Sequence, residues 1–311
     1  MSAQGVTARQ IADFLGLPLL GDDLPVEKPY SVDNCKEGGV VFANESTPEM
    51  LEKVSGLPRC LVICREDLAA SLGGSCVVSE NPRLTFILVM ERFFAPKRSA
   101  SIHPTALVQP GAKIGQNVEI GAYAWIGSET SIGDDSRIGH HVVIDGKTRL
   151  GRGCIVKSNT VIGQEGFGFS VDDAGIPRHF PHVGSVAIGD FVWIGANTSI
   201  ERSTLDETVI EDQVKIDDQV QVGQNCRIGR GTLIAAGAVL CNGVLVGEDC
   251  WVGPNVNILN GRRIGKGALL GIGANVLNDV PAGATFAGNP AKNVSSGAEG
   301  GAVPARTRGS E

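Results

Sequence analysis

Residues 114–143 have the sequence "IGQNVEIGAYAWIGSETSIGDDSRIGHHVV", in which an isoleucine recurs at every sixth position and a glycine follows each one. The aliphatic repeat extends in both directions. It is unbroken over residues 102–162, returns over 188–200 and, after a slip of four residues, continues over 210–276. The repeat comprises 26 hexads, and its long runs in one register exclude chance as their origin.

A period of six indicates short strands rather than a helix. Aliphatic residues about 3.6 apart would mark a helix face, whereas six is a multiple of the strand period of two, so these side chains stay on one face. The position two before each aliphatic should also point inward. It holds small or β-branched residues: Val118, Ala124, Thr130, Ser136, Val142, Cys154, Val214, Val220, Cys226, Ala238 and Cys250. Hexapeptide repeats predict a β-helix whose stacked coils bury one continuous core.

Residues 1–99 lack the repeat and predict a small α/β domain. Helices are expected in "VTARQIADFLGL", "STPEMLEKV" and "NPRLTFILVMERFF", each opening with a Thr or Asn capping residue. Buried strands are expected in "RCLVIC" and "SCVVS". The sequence therefore predicts an N-terminal domain over 1–99, a β-helix domain over 100–290 and a disordered tail over 291–311.

The repeat is interrupted over residues 163–185 by "GQEGFGFSVDDAGIPRHFPHVGS". Long loops on a rigid scaffold are usually functional or disordered. The aromatic, histidine and proline residues of this segment favour an ordered loop. We call residues 163–185 the excursion and expect it to contribute to a functional site.

The composition agrees with a narrow coil in a reducing compartment. Glycine accounts for 42 of 311 residues, and aromatic residues make up only 5%. The net charge of −7 argues against nucleic acid as a partner. The sequence shows neither an apolar run long enough for a membrane span nor a signal-peptide pattern. The eight cysteines include no C-x-x-C pair, and free thiols predict a cytoplasmic location.

Four motifs carry a resemblance to a known family: "NPRLTF", "GQEGFGF", "IGANTSIERSTLDETVI" and "VKIDDQVQVGQNCRIG". Together with the domain order, they resemble the UDP-3-O-acylglucosamine N-acyltransferase (LpxD) family of the lipid A pathway over residues 5–290. The resemblance implies a left-handed parallel β-helix and a homotrimer with sites between neighbouring copies. It also implies a nucleotide amino sugar as acceptor, an acyl thioester as donor and no tightly bound cofactor. The ending "AGNPAK" resembles acyl-CoA-dependent hexapeptide transferases, so acyl carrier protein and CoA both remain possible donors.

The resemblance also assigns site residues. In that family a histidine in an "IAHN"-type motif is the general base, and the matching hexad here has the sequence "VGQN", with Gln224 at the base position. The residues predicted to bind substrate are Asn44, Phe167, Phe169, Asp218, Gln221, Asn225, Asn260 and Arg262. For Phe167 and Phe169 the alternative is that they anchor the excursion. Arg262 stands where the family has a second histidine, in an "NGH" motif.

The base itself is left open, because a glutamine amide cannot take a proton at neutral pH. Asp217, His179 and His182 are the candidate substitutes. A metal site is not expected, because the five histidines lack the spacing on adjacent coils that three converging zinc ligands need.

The segment that holds the uracil in the family, of the form "SFxxNxxY", also differs here. The matching stretch is "VVFANEST", in which Asn44 is retained while Val41 and Thr47 occupy the aromatic positions. Two alternatives follow from this difference: the sandwich around the uracil base is lost, or the protein binds a different nucleotide.

Two functions follow from this sequence. The first is N-acyl transfer from a thioester to the amine of a nucleotide-linked sugar, in lipid A or surface-polysaccharide biosynthesis. The second is a catalytically impaired paralogue that acts as a binding or structural protein.

Overall fold

The computed structural model describes residues 5–45, 47–96 and 100–295. The chain forms two compact units, with the boundary between residues 98 and 99.

The N-terminal unit is a small α/β fold. In chain order its elements are β1 Val6–Thr7, α1 Ala8–Leu15, β2 Leu19–Leu20, β3 Pro25–Val26, β4 Lys28–Pro29, a 3-10 turn Val32–Asn34, β5 Gly39–Ala43, α2 Pro48–Ser55, β6 Leu61–Cys64, α3 Glu66–Ala69, β7 Ser75–Val78, α4 Pro82–Val89 and a π turn Met90–Phe94. Strands β2-β7-β6-β5-β4 form one sheet, with β2 antiparallel and the others parallel. Strands β1 and β3 pair separately.

The helix boundaries of this unit follow the predicted capping chemistry. Thr7 and Gln10 form the expected capping box, and Gly16 ends α1 in the left-handed conformation. Thr47 accepts a hydrogen bond from the N–H of Met50, and Asn81 caps α4 in the same way. The predicted helices and strands of this unit are therefore confirmed.

The second unit is a parallel β-helix built from short strands. They are β8 Leu107–Val108, β9 Lys113–Ile114, β10 Glu119–Ile120, β11 Trp125–Ile126, β12 Ser131–Ile132, β13 Arg137–Ile138, β14 Val143–Ile144, β15 Thr148–Leu150, β16 Ile155–Val156, β17 Val161–Gln164, β18 Phe169–Val171, β19 Pro177–His179, β20 Ser185–Ile188, β21 Trp193–Ile194, β22 Ser199–Glu201, β23 Glu207–Ile210, β24 Lys215–Ile216, β25 Gln221–Val222, β26 Arg227–Ile228, β27 Leu233–Ile234, β28 Val239–Leu240, β29 Leu245–Val246, β30 Trp251–Val252, β31 Asn257–Ile258, β32 Arg263–Ile264, β33 Leu269–Leu270, β34 Asn275–Val276, β35 Thr285–Ala287 and β36 Lys292–Asn293.

Apart from β18 and β19, these strands form three sheets that make the faces of a triangular coil. The first sheet has the order β10-β13-β16-β21-β24-β27-β30-β33-β35-β36, the second β8-β11-β14-β17-β22-β25-β28-β31-β34, and the third β9-β12-β15-β20-β23-β26-β29-β32. In regular coils each residue pairs with the one 18 positions later, as Ile120 does with Ile138. Three hexads therefore make one coil.

The core is the continuous stack that the repeat predicts. The aliphatic of each hexad from Ile120 to Val276 is buried, and so are all eleven residues at the preceding inward positions. The three cysteines among them, Cys154, Cys226 and Cys250, are small core residues. Many corners place an asparagine, aspartate, glutamine or glycine at positive φ, which those corners require.

Three features depart from the regular coil. The excursion contains an antiparallel hairpin of β18 and β19, whereas the sequence predicted only an ordered loop. The four-residue slip falls between β22 and β23. At the C-terminus, Lys292–Asn293 forms β36 against β35, so the predicted tail begins with a strand, and its residues from 296 lie outside the described part. No helix among the described residues has the length and apolar character to cross a membrane.

Candidate functional site

One corner of the β-helix carries most of the predicted site. It joins the second sheet to the third, and we call it the excursion corner. On three successive coils it holds the excursion between β17 and β20, the inserted residues 202–206 between β22 and β23, and the segment 223–226 between β25 and β26. Stacking of the coils therefore brings residues distant in sequence into contact here.

Gln224 fastens the excursion to the β-helix. Its side chain is 3% exposed, and its Nε2 donates a hydrogen bond to the main-chain carbonyl of Phe167 across 3.3 Å. That bond fixes the amide orientation, because a flipped amide would set two acceptors against each other. The remaining oxygen, Oε1, has no hydrogen-bond partner within the described part of the chain.

The excursion approaches this corner closely at two glycines. A Cβ on Gly166 would fall within 3.0 Å of Glu201 Oε2 and of Gln224 Oε1. A Cβ on Gly168 would meet the ring of His182 at 3.0 Å. The "GFG" backbone therefore covers a polar cluster formed by the partly exposed Glu201 and the buried Gln224 and His182.

Glu201 is the carboxylate of that cluster. Its Oε2 accepts a hydrogen bond from the main-chain N–H of Gln224 (3.1 Å), and its Oε1 accepts one from Nε2 of Gln221 (2.7 Å). Burial raises the pKa of this carboxyl, and the Gln224 N–H, the nearby His182 and Gln221 act in the opposite direction. Gln221 thus contacts this cluster through Glu201, a residue that the sequence did not nominate.

His182 is 2% exposed and lies at the end of the excursion. Its Nδ1 lies 2.7 Å from the carbonyl oxygen of Phe180, which can only accept, so Nδ1 carries the hydrogen. Its Nε2 finds no hydrogen-bond partner among the residues described. The His182 N–H donates to Glu165, and this bond, with the Arg202 guanidinium, lowers the pKa of the Glu165 carboxyl.

The outer side of the excursion is aromatic and exposed. Phe167 is 81% exposed, and its ring contacts that of Phe169 at 5.0 Å between centroids. The ring of Phe169 contacts His179, which stacks on the buried ring of His182. The structure therefore brings these four predicted residues together in one ladder of rings.

Asn225 has its side chain occupied by the fold. It adopts φ of 63°, and its Oδ1 accepts hydrogen bonds from Ser203 Oγ (2.6 Å) and the N–H of Thr204 (2.9 Å). Its Nδ2 donates to Thr204 Oγ1. In this structure Asn225 holds the inserted residues 202–206 in place.

Asp217 and Asp218 lie at a different corner, between the first sheet and the second. Asp218 pairs with Lys157 and accepts a hydrogen bond from the N–H of Ala196, and the Lys157 ammonium lowers the pKa of its carboxyl. Asp217 lies beside a groove of about 320 Å³ on the first sheet, which Trp193 and Trp251 also line. Within one chain, these aspartates are not part of the Gln224 cluster.

Asn260 and Arg262 lie on the excursion corner, two coils beyond Gln224. Arg262 Nε donates to the carbonyl oxygen of Asn260 (3.2 Å), and its guanidinium lies 4.0 Å from Asp279. The structure therefore places these two predicted residues on the same corner as Gln224 but apart from its cluster.

Asn44 belongs to the N-terminal unit, where its Oδ1 accepts a hydrogen bond from the N–H of Arg83 at the start of α4. Val41 is fully buried in the core of that unit, and Thr47 caps α2. The two residues at the family's aromatic positions therefore serve the fold.

Glu201 is the site residue that sequence reasoning missed. The signal was present, because a coil of 18 residues combined with the four-residue slip places residues 201–202 beside Gln224. The slip alone did not reveal this contact, because the conformation of the inserted residues decides which side chain turns toward Gln224.

Comparisons with known proteins agree with this architecture. Residues 129–164 and 207–242 match the bacterial transferase hexapeptide (six repeats) family. The UDP-3-O-acylglucosamine N-acyltransferase of Pseudomonas syringae pv. tomato is 31% identical over 221 residues, which cover 65% of this chain and 62% of that protein. The protein of the same name from Coxiella burnetii (strain Dugway 5J108-111) is 33% identical over 222 residues, 65% of this chain and 64% of that one. This chain thus spans less than two thirds of the length of these relatives.

Solved structures show the same fold. LpxA from Acinetobacter baumannii matches with a TM-score of 0.56 at 26% identity, covering 62% of this chain and 72% of that one. A UDP-N-acetylglucosamine acyltransferase from Campylobacter jejuni matches with a TM-score of 0.57 at 24% identity, covering 62% of this chain and 73% of that one.

The chain therefore folds its hexapeptide repeats into a left-handed parallel β-helix, and the predicted fold class is confirmed. Its curated relatives are UDP-3-O-acylglucosamine N-acyltransferases, which confirms the resemblance predicted from the motifs. The trimer stays a prediction.

Proposed function

We propose that this protein is an N-acyltransferase that moves an acyl group from a thioester to the amine of a nucleotide-linked amino sugar, in lipid A or surface-polysaccharide biosynthesis. The observation that carries the proposal is the cluster at the excursion corner. There Gln224, on the hexad that resembles the family's base motif, contacts both Glu201 and the excursion. The names of the curated relatives support acyl transfer as the reaction class.

The chemistry requires few groups. The sugar amine attacks the thioester carbonyl, a base removes its proton, and N–H groups stabilise the oxyanion. Positioning of the two substrates can supply more of the rate than the base does. The donor is acyl carrier protein or CoA acting as co-substrate, with no tightly bound cofactor, and the reaction is placed in the cytoplasm.

The proposal includes a homotrimer. Its support is the apolar surface on the second sheet and the excursion, where Leu107, Trp125, Phe167 and Phe169 are exposed in the single chain. By the resemblance, the sites of such a trimer lie in clefts between neighbouring copies. Asp217 and Asp218 would then face the sugar, as the resemblance implies.

One observation favours the alternative, a catalytically impaired paralogue that binds a sugar nucleotide. Gln224 is buried and hydrogen-bonded to the excursion, so it does not face an open pocket in this structure. The absence of the family's histidine at position 224 also favours this alternative.

Turnover decides between the two functions. The protein is assayed with UDP-, dTDP- and GDP-amino sugars, each with acyl-CoA and acyl carrier protein donors, and amide product is measured by mass spectrometry. We expect product with at least one pair. Binding of a sugar nucleotide without product from any pair would overturn the enzyme proposal and favour the paralogue.

A further inference from the structure

We infer that Glu201 is the catalytic base that takes the proton of the attacking amine, in the position left open by the absent histidine. This inference rests on the proposed acyl transfer.

Two hydrogen bonds, one from Gln221 and one from Gln224, fix Glu201 beside the base position. Gln221 binds one carboxylate oxygen and the Gln224 N–H binds the other. A carboxylate oxygen can accept more than one hydrogen bond, so both oxygens of Glu201 retain acceptor capacity. Glu201 is therefore held in one orientation while lone pairs remain for a substrate N–H.

The two oxygens of Glu201 differ in their surroundings. Oε2 lies against Gly166 of the excursion, which covers it. Oε1 is bound by Gln221, and both residues are partly exposed on the outward face of the second sheet. An amine that reaches this face beside the excursion would meet Oε1 first.

Gln224, His182 and Asp217 fit the role less well. Gln224 is buried, and its amide takes no proton. Nε2 of His182 has no hydrogen-bond partner among the described residues, but His182 is 2% exposed and its ring lies against Gly168. A substrate therefore reaches Nε2 only if the excursion moves away. Asp217 lies at another corner of the same chain.

The surroundings also suit a base. Burial favours proton uptake by the Glu201 carboxylate, and a proton affinity closer to neutral improves general base catalysis. The Gln224 N–H, the nearby His182 and Gln221 act on the pKa of this carboxyl in the opposite direction.

The step balances as follows. The amine nitrogen forms a bond to the thioester carbonyl carbon, and Glu201 removes one proton from that nitrogen. The carbon–sulfur bond then breaks, and the protonated Glu201 returns the proton to the leaving sulfur. The products are an amide and a free thiol, with Glu201 ionised again.

The test compares wild type with Glu201→Gln, Glu201→Asp and a control, Glu207→Gln, using the active substrate pair. Glu207 follows the same inserted segment but pairs with Arg149. We expect E201Q to lose about 10²–10⁴-fold in kcat with little change in KM, and to lose the acidic limb of the pH profile. E201D should retain that limb at a reduced kcat, and E207Q should match wild type.

The outcomes separate this inference from the proposed function. If wild type transfers acyl groups and a folded E201Q keeps its kcat and acidic limb, Glu201 is not the base while the function stands. If wild type transfers nothing with any pair, the proposed function fails and the inference fails with it. Should E201Q not fold, loss of the acidic limb in folded E201D would also overturn the assignment.

Discussion

The side-chain amide of Gln224 donates a hydrogen bond to the main-chain carbonyl oxygen of Phe167, 57 residues earlier in the chain. This bond ties the excursion to a coil that is not its neighbour in sequence. The residue at the family's base position is therefore an anchor for the segment that covers the site.

Replacing Gln224 with alanine should release the excursion. The Phe167 carbonyl would lose its donor, so we expect the free energy of unfolding to fall by about 1–3 kcal/mol. Chymotrypsin should then cleave after the phenylalanines of the excursion faster than in wild type. Asn242→Ala, at the equivalent corner one coil on, is the control and should leave the cleavage rate unchanged. Equal protection of the excursion in both variants would contradict the anchoring role.

The glycines of the excursion should rank by the contacts that their new Cβ atoms make. Gly166→Ala places a methyl group within 3.0 Å of two side-chain oxygens, whereas Gly168→Ala meets the edge of the His182 ring at 3.0 Å. We expect Gly166→Ala to lower the melting temperature more than Gly168→Ala. Gly74→Ala, where a Cβ meets nothing within 4 Å, should have little effect. Thermal unfolding of the three variants checks the order, and equal melting temperatures would contradict the close approach.

The fold was predictable because one physical rule governs it. An aliphatic at every sixth position must be buried in a stack of three-hexad coils, and burial of Ile216 or Val222 follows from spacing alone. The helices of the N-terminal unit were predictable for a similar reason, since Thr7 and Asn81 cap them through local contacts.

The site was predictable only where the repeat stays regular. Gln224 and Asn260 fall on one corner because two complete coils of 18 residues separate them. The excursion and the slip break that arithmetic. Residues 201–206 reach Gln224 and Asn225 only through the slip, so Glu201 was missed. The side-chain hydrogen bonds of Asn225 depend on local geometry that spacing does not encode.

Asn225 should matter more to stability than an ordinary corner asparagine. Asn225→Gly keeps the positive φ but loses three hydrogen bonds to residues 203 and 204, so we expect a loss of about 1–3 kcal/mol. Asn159→Gly, at a regular corner with φ of 62°, is the control and should change stability little. Urea denaturation measures both. Similar losses in the two variants would mean that the conformation of Asn225, not its side chain, is what counts.

The contribution of Glu201 to stability should fall as the pH rises. Burial raises the pKa of this carboxyl in the folded protein, so the folded state holds the proton more tightly than the unfolded chain does. The associated stability is complete below the unfolded chain's pKa of about 4.3 and is lost as the pH rises through the folded value. The difference in unfolding free energy between wild type and Glu201→Gln should therefore shrink over that range. It is measured by urea denaturation at a series of pH values.

Glu248 supplies a control of opposite sign for that measurement. Its pairing with Lys266 lowers the pKa of the Glu248 carboxyl, so its stabilising contribution is present above the unfolded pKa and lost as the pH falls through the folded value. The difference in unfolding free energy between wild type and Glu248→Gln should grow with rising pH. The corresponding difference for Glu201→Gln should shrink. If both differences grew, the hydrogen bond from the Gln224 N–H and the influence of His182 would outweigh burial at Glu201, and the carboxylate would be the favoured form in the folded protein.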